Sequence, residues 1–79
     1  MSPVVFRWKG YRVFFFSKEE PRIHVHVVSG NGDAKFWIEP VVELADNYGL
    51  NAKEIKEIQT VIEERRDEIV RAWRDHFSQ

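Results

Sequence analysis

The strongest constraint on the fold is a pair of alternating segments joined through Asn31-Gly32. Ile23-His24-Val25-His26-Val27-Val28 and Ala34-Lys35-Phe36-Trp37-Ile38-Glu39 follow the period of two expected of half-buried strands. Asn-Gly is the strongest short hairpin signal, because a type I′ turn needs positive φ at both central residues. Folded about that dipeptide, Val27 meets Phe36 and Val25 meets Ile38 on one face. On the other face Val28 meets Lys35, His26 meets Trp37 and His24 meets Glu39. This register separates apolar from polar without a misfit, which supports it.

A first hairpin is expected upstream. Val4 to Trp8 and Tyr11 to Phe16 are rich in β-branched and aromatic residues, with Lys9-Gly10 between them. Trp8 then faces Tyr11, Phe6 faces Val13 and Val4 faces Phe15, while Val5 faces Phe14 and Arg7 faces Arg12 on the reverse side. A polar loop, Ser17-Lys18-Glu19-Glu20-Pro21-Arg22, separates the two hairpins.

The rest of the chain reads as helix. Pro40 suits a first helical turn, Val41, Val42, Leu44, Ala45 and Tyr48 form a 3.6-residue stripe, and Gly49 is a natural stop, although the β-branched start Val41-Val42 leaves a strand open. Asn51 with Glu54 three positions on makes a capping box ahead of Ile55, Ile58, Ile62, Ile69, Trp73 and Phe77. Arg65 and Arg66 interrupt this second stripe at its middle. One helix of about 25 residues would span about 38 Å, against about 20 Å for a six-residue strand. Either the helix breaks near 63–67, with Asp67 as a second N-cap, or half of it overhangs the sheet and needs a partner.

The expectation is therefore a single α+β domain over residues 1–79. It has an antiparallel four-stranded sheet of two hairpins, a short helix, and a long C-terminal helix that is either continuous or broken near 63–67.

Composition sets further bounds. A chain of 79 residues buries only roughly 60% of its unfolded surface, and it has no cysteine to brace it. Six Phe, three Trp and two Tyr can stiffen a small core. The absence of cysteine excludes disulfides and thiolate metal sites, and suits a cytoplasmic location. No run approaches the roughly 20 apolar residues of a membrane span, and the start lacks the pattern of a secretory leader. Net charge is −1. Six Lys or Arg and four acids fall in residues 1–40, whereas residues 41–79 hold six and nine. A mildly basic strand half and an acidic helical half do not by themselves demand nucleic acid.

Three features could carry chemistry. His24-Val25-His26 sets two imidazoles on one strand face, close enough to hold a metal ion or share a proton site. Glu39, opposite His24 in the expected register, would complete a two-His, one-carboxylate set for metal or acid–base work. Ordinary packing and hydrogen bonding on a half-buried face is the leading reading of the pair, with His26 stacked on Trp37, because H-x-H alone is a weak motif. Arg7 opposite Arg12 is the second feature, since like charges across a sheet are destabilising unless water screens them or an anion binds. The third is the whole face, which mixes Phe14, Trp37 and the histidines with Arg7, Arg12 and Lys35. That chemistry fits a protein interface, single-stranded nucleic acid, or a face covered by the chain's own helix. The sequence holds no nucleotide-binding loop, no H-E-x-x-H and no Cys nucleophile.

Four stretches together resemble a known family: Gly10-Tyr11-Arg12-Val13-Phe14-Phe15-Phe16-Ser17, His24-Val25-His26-Val27, Ala34-Lys35-Phe36-Trp37-Ile38, and Ala72-Trp73-Arg74-Asp75-His76-Phe77. They look like the bacterial family catalogued as domain of unknown function 4160, in order and spacing, nearly end to end. That family usually shows two prolines before the first His, where this chain has Pro21-Arg22-Ile23. The resemblance implies a small prokaryotic protein without assigned activity, a candidate component of toxin–antitoxin modules. It sets His24, His26, Lys35, Trp37 and Trp73 on signature positions and assigns them no role.

Three functions follow as expectations. The first is a binding module without enzymatic activity or cofactor, paired with a protein partner or a second copy and no membrane, with Arg7, Arg12, Phe14, Lys35, Trp37 and Trp73 as binding residues. The second is a ribonuclease-like toxin using His24, His26 and Glu39. The third is a nucleic-acid-binding protein without chemistry.

Overall fold

The computed structural model describes residues 4–16 and 21–77. The polar loop expected from Ser17 therefore lies, over 17–20, outside the described residues. Five strands form one antiparallel sheet in chain order: β1 Val4–Trp8, β2 Tyr11–Phe14, β3 His24–Val28, β4 Asp33–Trp37 and β5 Glu43–Tyr48. Two helices follow, α1 Ala52–Glu64 and α2 Arg66–Phe77.

The first hairpin turns at Lys9-Gly10 as expected. Lys9 has φ 45° and Gly10 φ 81°, so the paired positive angles of a type I′ turn fall here. Trp8 faces Tyr11, Arg7 faces Arg12 and Phe6 faces Val13. A bulge at Val5 then brings Val4 opposite Phe14, not Phe15, and leaves Val5 unpaired.

The second hairpin differs from expectation by two residues. His24 faces Trp37, Val25 faces Phe36, His26 faces Lys35 and Val27 faces Ala34. A shift of two keeps every side chain on its expected face and changes only its partner. The cause is the loop. Ser29 N–H donates to the Gly32 carbonyl at 2.9 Å, so Gly30-Asn31 forms the tip, and neither residue has positive φ. Gly32 is needed for another reason. A Cβ there would run into the Tyr48 carbonyl and lie 2.9 Å from the Gly49 Cα. Asn31-Gly32 thus packs against the end of β5.

The short helix expected after Pro40 is β5, and the sheet has five strands instead of four. Leu44 pairs with Phe36, Asp46 with Lys35 and Tyr48 with Asp33, across a bulge at Ala45. The β-branched pair Val41-Val42 disfavours a helical start, and β4 offers a row of unpaired backbone groups that a strand satisfies. The 3.6-residue stripe is not a buried face, because Val41, Leu44 and Tyr48 are all exposed.

The long C-terminal helix does break within 63–67. Asn51 caps α1, its side chain accepting from Glu54 N–H while the Glu54 carboxylate accepts from Asn51 N–H. Arg65 leaves helical geometry at φ −105° and ψ 18°. Asp67 is not a second N-cap but lies in the first turn of α2. No new cap is required, since Arg65 N–H still reaches Val61 O and Ile69 N–H reaches Arg65 O. The interrupting arginines fasten the bend: the Arg65 guanidinium sits 4.5 Å above the Phe6 ring, and Arg66 Nε donates to the Ile38 carbonyl at 3.3 Å. The bend lets both halves bury an apolar stripe. Ile58, Val61 and Ile62 of α1 join Ile69, Val70 and Trp73 of α2 in one core with Phe6, Val13, Phe15, Val25, Val27, Phe36 and Ile38. Each such side chain contributes about 1.5–3 kcal/mol by leaving water. Among the described residues, no helix is long and apolar enough to cross a membrane.

Candidate functional site: the outer face of the sheet

With the helices on one face, pairing fixes what the other presents. One row across the five strands reads Val4, Phe14, His26, Lys35, Asp46. A second reads Arg7, Arg12, Val28, Asp33, Tyr48. A third row holds His24, Trp37 and Glu43. Arg7 and Arg12 therefore lie on β1 and β2, and the acids on β4 and β5, with Lys35 of β4 the one cation among them. Between them lies an apolar and aromatic centre. Phe14, His26, Val28, Lys35 and Trp37 are half-buried, whereas Arg7, Arg12, Asp33 and Asp46 are exposed. Phe16 and Tyr48 are exposed by 61% and 66%, large aromatic rings left in water at opposite ends of the face.

Trp37 is flanked by two cations. The Arg22 guanidinium and the Lys35 ammonium each lie 4.4 Å from its centroid. Arg22 is fixed by donating from Nε to the Glu39 carbonyl at 2.7 Å and by pairing with Glu43 at 3.5 Å. Cation–π contacts at exposed positions contribute about 0.5–1 kcal/mol each. They flank the indole with charge.

The two histidines have different places. His24 is 3% exposed. Its Nδ1 lies 2.8 Å from the Arg22 carbonyl, so Nδ1–H donates. Trp73, Trp37 and His26 surround its ring at 5.3, 5.7 and 5.5 Å. His26 lies on the open side, stacked on Phe14 at 5.8 Å with Phe16 edge-on at 5.7 Å. The two-residue register difference separates Glu39 from His24, whose partner is Trp37. Among the described residues no three His, Asp or Glu side chains come together as a metal site.

Of the residues expected to bind, Arg7, Arg12, Phe14, Lys35 and Trp37 share the outer face. Trp73 does not. It is buried in the core, 5.2 Å from Phe15 and 4.3 Å from Phe77. Sequence reasoning missed Arg22, Asp33, Glu43, Asp46 and Tyr48. All but Arg22 and Asp33 belong to β5, where the bulge at Ala45 breaks the alternation that marks a strand. Only the Val41-Val42 pair pointed that way.

No curated protein and no solved structure matches the chain. A family match covers residues 10–74, spanning all of β2 to β5, α1 and most of α2. The chain belongs to the DUF4160 family, described as a domain of unknown function.

Proposed function

We propose that this chain is a protein-interaction module that binds a protein partner through the outer face of its sheet. The observation that carries this is the composition of that face. Phe14, Trp37 and Tyr48 with Arg12 and Arg22 are the side-chain types enriched in interface centres. Phe16 and Tyr48 stand exposed beside half-buried Phe14, Val28 and Trp37, which supplies apolar surface among the charges. A nucleic acid would also use rings beside cations. Asp33, Asp46 and Glu43 on the same face disfavour a polyphosphate strand and favour a partner of mixed charge. The ribonuclease-like reading has less support, because Glu39 stands away from the histidines. A role in a toxin–antitoxin-type pair rests on the family resemblance and is one setting for such a module.

The test places a photoreactive phenylalanine analogue at position 14 and, as control, at position 75 on α2. Irradiation in cells should give protein adducts from position 14 and not from position 75. Adducts to RNA or DNA, or equal adducts from both positions, would contradict the reading.

A further inference from the structure

The rows of the outer face have a symmetry of their own. β3 is the middle strand, so Val28 and His26 are the midpoints of their rows. Reversed and laid over itself, the row Arg7, Arg12, Val28, Asp33, Tyr48 sets Arg12 against Asp33, Arg7 against Tyr48, and Val28 against Val28. Every contact so made is favourable: an ion pair, a cation on a ring and an apolar pair. The next row, reversed, brings Phe14 against Lys35, His26 against His26 and, at its edges, Val4 against Asp46, which is the one unmatched contact of the two rows.

We infer that the partner on this face is a second copy of the chain, seated face to face about a two-fold axis that runs along β3. This deepens the interaction reading and rests on it. A two-fold interface uses one patch twice, so the patch must complement itself. An axis along β3 performs the row reversal, exchanging β1 with β5 and β2 with β4 while keeping position along the strands. An axis across the strands would lay β1 over β1 and keep the cationic side against itself. Sheet twist is compatible with the first arrangement. A uniformly twisted sheet rotated about its own middle strand gives a surface of the same twist, so the two faces stay matched in aligned packing. The groups involved are available. Arg7, Arg12 and Asp33 are exposed and hold no ion pair among the described residues.

Size sets the strength. Five strands about 4.8 Å apart and five residues long give a face roughly 20 by 17 Å. A face of that size is less than half of the roughly 800 Å² per partner in a standard specific interface, so the association is transient and weak. Opposite charges facing each other then decide orientation more than affinity.

The experiment is sedimentation velocity on the full chain from low to high micromolar concentration. It compares wild type, Arg12→Asp, Asp33→Arg, the double variant, and a mixture of the two single variants. Wild type should show a concentration-dependent dimer. Each single variant should associate at least about tenfold more weakly, since a tenfold change needs only about 1.4 kcal/mol. The double variant should recover wild-type association. The mixture should recover it too. One copy then carries an acid at both positions and the other an arginine at both, so each contact pairs opposite charges. A general loss of folding cannot produce that recovery. Weak single variants without recovery in the double or the mixture would overturn the axis along β3. So would single variants that dimerise like wild type. A monomeric wild type that still gives adducts to a different protein from position 14 overturns self-pairing and leaves the interaction reading standing. A monomer with no protein adduct overturns both.

Discussion

Two residues carry consequences beyond their size. Gly32 is required because the loop after β3 touches the end of β5, where any Cβ meets the Tyr48 carbonyl. Gly32→Ala should cost about 2–3 kcal/mol, measured as a drop in urea midpoint, because the obstruction is backbone and cannot rotate away. Gly30→Ala, with open space at its Cβ, should cost far less. Glu54 is the second. Its carboxylate accepts from Asn51 N–H and from the Asn31 amide, and these bonds hold its pKa below the ordinary 4.5. A lowered pKa means the folded state favours the ionised form. The stabilisation is present above 4.5 and is lost as pH falls through the folded value. The stability gap between wild type and Glu54→Gln should therefore narrow on acidification below 4.5. A gap that stays constant with pH would remove the capping carboxylate from the account.

The elements show how much the sequence discloses. Both hairpins, the faces of their strands, the capping box at Asn51 and the break near Arg65 are legible, because each rests on local rules of period, turn or cap. The register of the second hairpin is not. Asn31-Gly32 is a turn signal, yet here its glycine answers to a contact with β5, which no local window contains. β5 reads as helix for the same reason. Its stripe has the helical period, and only the open edge of β4 decides for strand. The site inherits both errors. Glu39 enters a metal set through a register two residues away from the actual one, and the acidic side of the face is hidden inside a supposed helix. The bend at Arg65 carries its own prediction. Arg66 Nε bonds the Ile38 carbonyl, so Arg66→Ala should cost about 1 kcal/mol. Arg66→Lys should recover only part of it, because an ammonium lacks the planar fork. Equal stability in all three proteins would detach the arginine from the bend.

At the scale of the molecule, the chain divides into a face that makes the fold and a face that the fold leaves over. The inner face and the helices take the strongly apolar residues. The outer face takes aromatics flanked by cations on one side and acids on the other. Trp37→Ala should act mainly on binding, since its half-buried ring is flanked by Arg22 and Lys35 and reaches the core through His24. We expect a stability loss of about 2 kcal/mol, from two cation–π contacts and the half-buried ring, together with a marked fall in adduct yield from position 14. Raised salt should weaken the association while leaving the fold intact, because the exposed charges are screened within about 8–10 Å. The most direct test is hydroxyl-radical footprinting of the protein in intact cells, set beside dilute purified protein. If the outer face is an interface, oxidation of Phe14, Trp37 and Tyr48 falls in cells while Leu44 and Phe77, which lie off the face, react as before. Equal oxidation of Phe14, Trp37 and Tyr48 in both settings would contradict it.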